Sequence, residues 1–301
     1  MIGYVFLIIA LFAGWIKGYC GKRSSSHIVT LHDAMLSNTA RMAIALVIGF
    51  FIVVIKEGVS ALAIGGSVLF IAFAGGAALS VNVVSWILAA RRGAYVMIEV
   101  MMLFSVSIPL VYCMIVYGEP VSVIQWLGIA LLFVATYIMT VYNSGINGKM
   151  KLLDFIILII CVFASGTFDL TQKIFVKSNT GVDISVFNFY VYVFAALIIA
   201  VALAFVLMRA RKKEDYVSPV IAVKKVWPYV VIMALGIFVY SYFKTASAEY
   251  LDAAKIYPIF LGASLLGTTV MSAIFFGEKI TIKSAVGMTL CAVSLIMING
   301  F

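Results

Sequence analysis

Long apolar runs alternate with short polar stretches from one end of the chain to the other. Most runs last about 20 residues, the length a helix needs to cross a ~30 Å hydrocarbon core. The pattern predicts helices over about 2–19, 36–55, 64–90, 94–116 and 121–142. It predicts five more over about 152–176, 184–208, 227–248, 253–276 and 280–299. Between them lie Lys17 to His32, Lys56-Glu57-Gly58, Arg91-Arg92, residues 143–151, and the most charged segment, residues 209–225. Runs this long favour spanning helices over a barrel, whose strands would alternate apolar and polar positions every ~10 residues. The N-terminal run lacks a basic leader and a clear small-residue cleavage site, so it reads as the first spanning helix rather than a signal peptide.

The pattern also repeats. Residues 253–299 form an apolar run, a tight Gly277-Glu278 turn and a second apolar run; residues 94–142 have the same plan around Gly118-Glu119. One offset of 159 residues aligns Ala94 with Ala253, Glu119 with Glu278 and Gly128 with Gly287. Earlier in each half, an offset of 151 pairs Phe12-Ala13 with Phe163-Ala164 and Lys22 with Lys173, and an offset of 150 pairs Asp33 and Asn38 with Asp183 and Asn188. A period of half the chain signals an internal duplication. The expected organisation is a five-helix repeat over 1–142, a connecting loop over 143–151, and a second five-helix repeat over 152–301. An odd number of helices per copy turns the second copy upside down in the membrane, an inverted repeat. The pairs Gly65-Gly66 and Gly75-Gly76 read as close-packing positions for neighbouring helices, with a hinge as the alternative.

Composition agrees with a lipid environment. The chain is 65% hydrophobic and 11% charged, with a mean hydropathy of +1.18, against about 45–50% and 25% in a soluble domain. The net charge of +9 does not call for nucleic acid, because no exposed face combines basic and stacking residues. The basic residues instead set topology. Of the 21 lysines and arginines, all but Lys56, Lys173, Lys177, Lys244 and Lys255 fall on one side, here side B, opposite the two termini on side A. The positive-inside rule then places B in the cytoplasm and both termini outside, in a plasma (inner) membrane. Cys20, Cys113, Cys161 and Cys291 match no metal or redox spacing. His27 and His32 share one loop and lack further ligands, and no phosphate-binding loop occurs. No metal, cofactor, ATP-driven step or enzymatic constellation is expected.

Tyr257-Pro258, Gly262, Phe276-Gly277-Glu278-Lys279 and Gly287 heading an apolar helix resemble the C-terminal helix pair of the drug/metabolite transporter superfamily, in particular its EamA-type branch. Residues 287–299 also resemble the last helix of the small multidrug resistance proteins, and residues 94–142 are a fainter copy. The resemblance implies a ten-helix inverted-repeat carrier working by alternating access around a central cavity, lined by helices 1, 3, 4, 6, 8 and 9. Many relatives carry a proline about 13 residues before the Gly-Glu glutamate. Those positions are Val106 and Leu265 here, with prolines at Pro109 and Pro258 instead, so gating geometry does not carry over. Relatives often have both termini inside, opposite to the charge count.

An ionisable residue within a span costs at least about 2.5–3.5 kcal/mol at the bilayer centre and is a candidate site by default. Glu99 lies roughly 9 Å inside the fourth helix from side B. It is either a proton acceptor or cation anchor, or a structural partner of Lys17 or Arg91. Asp169 and Lys244 lie toward side A in the sixth and eighth helices. They either pair with each other or line the cavity, and Lys244 has the further option of snorkelling to the interface. Trp15, Trp86, Tyr240, Tyr242 and Tyr257 are candidates for stacking a planar or cationic solute, with interface anchoring as the alternative, favoured for Trp126 and Trp227. Asn82 offers a hydrogen bond to solute or helix, and Gln172 reads as packing. Glu249, Asp252 and Lys255 read as a solvated turn, and Glu119 and Glu278 as helix starts favoured by the dipole.

The expected function is secondary active transport of small organic metabolites or drug-like solutes, with protons as the candidate coupling ion and lipid as the surroundings; a homodimer stays open. The alternatives are an exchanger of anionic metabolites, suggested by Lys17, Lys173, Lys244 and Lys255, or a non-transporting membrane protein such as a lipid scramblase or sensor.

Overall fold

A computed structural model describes residues 1–92, 98, 101–141, 152–178, 180–210, 219–277 and 281–299. Among them stand ten α-helices: α1 Ile2–Ser25, α2 Leu31–Lys56, α3 Gly66–Arg92, α4 Ser107–Val116, α5 Val123–Val141, α6 Leu152–Lys177, α7 Ile184–Ala210, α8 Pro219–Tyr250, α9 Ala253–Phe276 and α10 Ile282–Asn299. Short 3-10 turns occupy Val59–Leu62 and Leu103–Val106, and no strand occurs among the described residues. Seven helices are long and apolar enough to cross a membrane, with shorter apolar helices at Leu103–Val116, Val123–Ala135 and Ala285–Asn299. The outside of the bundle is apolar: Phe70, Phe163, Phe205, Ile274 and Ile296 are all more than half exposed, as suits a lipid-facing surface.

Three helix ends differ from the sequence expectation. α1 continues to Ser25 because its small residues are packed rather than solvated: Gly18, Cys20, Gly21, Ser24 and Ser25 are buried. α2 starts at Leu31 because Thr30 and Asp33 form a capping box. The Asp33 backbone N–H donates to Thr30 Oγ1 at 3.2 Å, and the Thr30 N–H to Asp33 Oδ2 at 2.9 Å, satisfying two otherwise orphan donors. α8 starts eight residues early, at Pro219; proline is tolerated in a first helical turn, where its missing N–H has no partner to lose. Three of the cations counted above as setting topology lie within helices. Lys17 and Arg41 lie within α1 and α2, and Lys173 lies within α6, 1% exposed.

Most helix pairings survive exchanging each helix with the one five places on, although α9 with α10 has no equal between α4 and α5. The most extensive contacts are α1 with α8 and α3 with α6, which map onto each other, and α5 with α10 and α2 with α7, which map onto themselves. The contacts α2–α8 and α3–α7, α1–α9 and α4–α6, and α1–α3 and α6–α8 form further matched pairs. The two Gly-Glu turns match as well: Gly118 and Gly277 both adopt the left-handed conformation, at φ +62° and +66°.

Close approach depends on glycine in α3. A Cβ on Gly76 would lie 2.6 Å from Phe194 Cβ and 2.8 Å from the Val191 carbonyl oxygen, whereas Gly65 and Gly66 have nothing within 4 Å. Packing thus accounts for Gly76, and the α7 backbone cannot yield as a side chain would. Gly76→Ala is expected to cost about 1–3 kcal/mol of stability through overpacking, measured by unfolding against Gly65→Ala, which should be close to neutral.

Candidate functional site

Asp169 on α6 and Lys244 on α8 meet inside the bundle. Lys244 Nζ lies 2.7 Å from Asp169 Oδ1, and both residues are 1% exposed. They stand roughly 12 Å and 9 Å from the side-A ends of their helices. Lys244 therefore does not snorkel to the interface; contact between α6 and α8 turns it toward the carboxylate. Its ammonium also donates to Tyr240 Oη at 3.2 Å and lies 4.7 Å from the centroid of the Phe260 ring. Tyr257 Oη donates to the Asp169 backbone oxygen at 2.9 Å. Asp169 Oδ2 has no hydrogen-bond partner among the described residues.

A second cation reaches the cluster from α1. Lys17 Nζ sits 3.9 Å from the centroid of the Tyr240 ring, close enough for a cation–π attraction. Glycines make room: Tyr240 packs onto Gly14, and Lys17 onto Gly236. Trp15 fills the space above Gly267 of α9, its ring where a Cβ would stand, with Nε1 buried and without a hydrogen-bond partner among the described residues. Four of the candidates from the sequence thus gather here: Asp169, Lys244, Tyr240 and Tyr257.

Asn82 and Trp86 lie elsewhere, on α3 toward side B. Asn82 Nδ2 donates to the Cys161 carbonyl at 3.3 Å, and the Trp86 ring enters the notch left by Gly21. Both line a small cavity with Lys17, Gly18, Val83 and Arg41. Glu99 lies outside the described residues. Gln172 belongs to an interhelical chain: its Nε2 donates to Ser241 Oγ at 2.9 Å, which donates to Asn188 Oδ1 at 2.6 Å. Trp126 and Trp227 are 41% and 50% exposed, on the outer surface. No group of three His, Cys, Asp or Glu side chains with metal-binding geometry occurs among the described residues.

Sequence reasoning named Glu119 as a helix start and Lys173 as a cation but did not foresee that they meet. Glu119 is 5% exposed and ties the α4–α5 turn to two other elements. Its Oε2 accepts the Ala253 backbone N–H at 2.7 Å, and its Oε1 pairs with Lys177 at 2.9 Å and Lys173 at 3.3 Å. Asp252, the N-cap residue of α9, makes no side-chain cap, so Glu119 supplies that acceptor from a distant turn. Lys173 Nζ also donates to the Ala248 and Leu251 carbonyls, at 3.0 and 2.8 Å, around the C-terminus of α8. At the opposite end, Lys22 Nζ donates to the Ala90 carbonyl of α3 at 2.7 Å. Lys22 and Lys173 thus perform the same capping, one in each half. Their alignment in the repeat was the available signal. Side A carries a further, more exposed contact: Lys56 Nζ lies 2.5 Å from Asp183 Oδ2. Burial pushes the Asp183 carboxyl up, but hydrogen bonds from Lys56 and Ser185 outweigh it and hold the carboxyl below its ordinary range.

The model of the EamA-like transporter family matches residues 152–300. No curated protein matches the sequence. A solved structure described as "Crystal structure of protein" superposes with a TM-score of 0.70, covering 99% of this chain and 96% of its own, at 14% identity; at that identity it shows a shared fold.

Proposed function

We propose, on the premise that the chain belongs to the EamA-like transporter family through its residues 152–300, that this multi-pass membrane protein is a secondary active carrier of small organic solutes. Two five-helix repeats, 1–142 and 152–301, lie inverted to each other and work by alternating access. The observation that supports this most is the helix pairing, most of which is preserved when each helix is exchanged with the one five places on. Two equivalent halves can adopt two equivalent arrangements, one the mirror in function of the other, which is the physical basis of a carrier that opens to either side in turn.

The side-A latch of Glu119, Lys173 and Ala253 has a sequence counterpart in Glu278, Lys22 and Ala94 on side B. Glu278 and Ala94 lie outside the described residues. In this reading one latch holds while the other is released. The bias of Lys22, Arg23, Arg91, Arg92, Arg209 and Arg211 toward side B favours B as the cytoplasmic face of a plasma membrane. Glu99 is the proposed proton-coupling group, and Asp169, paired with Lys244, is the buried carboxylate whose charge a passing solute would feel.

Uptake into proteoliposomes tests the reading with a panel of cationic, zwitterionic and anionic solutes, with and without a pH gradient. Native protein is expected to accumulate one class only under the gradient. Glu99→Gln is expected to lose accumulation while still exchanging labelled for unlabelled solute. A native chain that moves nothing across the panel would overturn transport, and gradient-driven accumulation by Glu99→Gln would overturn the role of Glu99.

A further inference from the structure

Arg41 is a cation placed where a membrane protein does not leave one without a reason. It lies on α2 roughly 15 Å from that helix's side-B end, and it is 4% exposed. A guanidinium carries five N–H donors and no acceptor. Here Nη1 donates only to the sulfur of Met233 at 3.7 Å, and Nε has no hydrogen-bond partner among the described residues. Thioether sulfur is a weak acceptor. No carboxylate among the described residues pairs with Arg41, in contrast to Lys244 and Lys173. The cost of burying this charge is therefore left uncompensated among the described residues.

Arg41 lines the small cavity between α1, α2 and α3, together with Lys17, Asn82 and Trp86. That cavity measures ≈ 30 Å³. At about 10–15 Å³ for a single water it admits a small polar head group. One helical turn further toward side B lies a wider vestibule of ≈ 510 Å³. Its walls include Lys22, Arg23, His27, Arg91, Tyr229 and Phe276, and its described lining contains no acidic residue. Gly18 and Lys22, and Trp86 and Ala90, are each four residues apart, so the two spaces are stacked along α1 and α3. A cleft lined by one sign of charge between low-dielectric walls concentrates the opposite ion.

We infer that Arg41 and Lys17 form the seat for the carboxylate head group of the transported solute, reached from side B through the basic vestibule. The inference rests on the carrier reading above and specifies its substrate class as small organic acids. The fork of the guanidinium suits a carboxylate in bidentate contact. Bound solute supplies the charge that Arg41 lacks in the empty site.

The test is equilibrium binding to the full chain in detergent, read by thermal shift and tryptophan fluorescence. Acetate, phenylacetate and glutarate are compared with phenethylammonium and phenyl phosphate. At least one carboxylate is expected to bind saturably and raise Tm, while the cation and the phosphate do not. Arg41→Gln is expected to weaken that binding at least about tenfold, the weight of a lost charge-assisted hydrogen bond, with Arg41→Lys intermediate. Without ligand, Arg41→Gln should melt no lower than native, because it removes an uncompensated buried charge. A lower ligand-free Tm for Arg41→Gln would make Arg41 structural and overturn the inference. So would native-like carboxylate binding by that variant, or saturable binding of phenethylammonium alone. Binding without uptake in proteoliposomes would sink the carrier reading and leave the seat; uptake of cationic solutes with no carboxylate binding would sink the seat and leave the carrier.

Discussion

Lys244→Met alone is expected to lower the stability of the fold by about 3–5 kcal/mol, and Asp169→Val by a similar amount, whereas the two together should be close to native. Each single change leaves one charge buried without its partner: Lys244 and Asp169 are both 1% exposed, with nitrogen and oxygen 2.7 Å apart. The isolated ammonium would keep only Tyr240 Oη at 3.2 Å and the faces of Phe260 and Tyr257. An isolated carboxylate would keep no better, since its Oδ2 already has no hydrogen-bond partner among the described residues. The double variant removes both desolvation costs at once. Unfolding free energies of the four proteins in bicelles give the coupling directly. Uptake by the same four separates structure from function. A double variant that is folded and still transports would make the pair a fastening between α6 and α8, while a folded but inactive one would place the pair on the solute or proton path.

Glu119→Ala is expected to have an effect of the same order, about 3–5 kcal/mol, because it strands Lys173 and the first amide of α9 together. Lys173 is 1% exposed and divides its donors among Glu119 and the Ala248 and Leu251 carbonyls. Glu119→Gln should cost less, since its amide oxygen can still accept the Ala253 N–H. Lys173→Met combined with Glu119→Ala should recover much of the loss. Lys177, with its side chain 36% exposed, is at the wet end of the latch, and its removal should matter least.

The same latch sets a pH dependence. Burial pushes the Glu119 carboxyl up, but the Ala253 amide and the ammonium groups of Lys177 and Lys173 outweigh it and hold the carboxyl below its ordinary range. A carboxyl depressed by folding contributes stability that is present above its unfolded pKa and lost as pH falls through the folded one. Tm should therefore fall on acidification toward and below the normal carboxylate range, and Glu119→Gln should flatten that fall. An unchanged profile in Glu119→Gln would mean that other carboxyls, such as the Lys56-paired Asp183, dominate the acid limb.

The sequence and the structure agree wherever the property is local. The number of helices, their apolar faces and the Gly-Glu turns follow from run length, hydrophobicity and backbone conformation, which a few neighbouring residues determine. The expectation of an internal repeat needed only the order of residues, through one offset that aligns Glu119 with Glu278 and another that aligns Lys22 with Lys173. Asp169 and Lys244 stood out because charge inside an apolar run is costly wherever it falls.

Partnership was not legible. Glu119 looked like an ordinary helix start, and only the arrival of Ala253, 134 positions later, together with Lys173, made it a cap and a counter-ion. Arg41 and Lys17 counted only as topology-setting charges near the ends of predicted helices; the capping box at Thr30 and the buried small residues of α1 extend both helices past them and leave both inside the bundle. A helix boundary shifts when a side chain far along the chain satisfies or excludes a terminal backbone group. Hydrophobic length is written in consecutive residues, so the sequence alone determined that this chain crosses a membrane many times. Which charges meet, and which is left without a partner, depends on how closely helices such as α6 and α8 approach, and only the packed structure decided that.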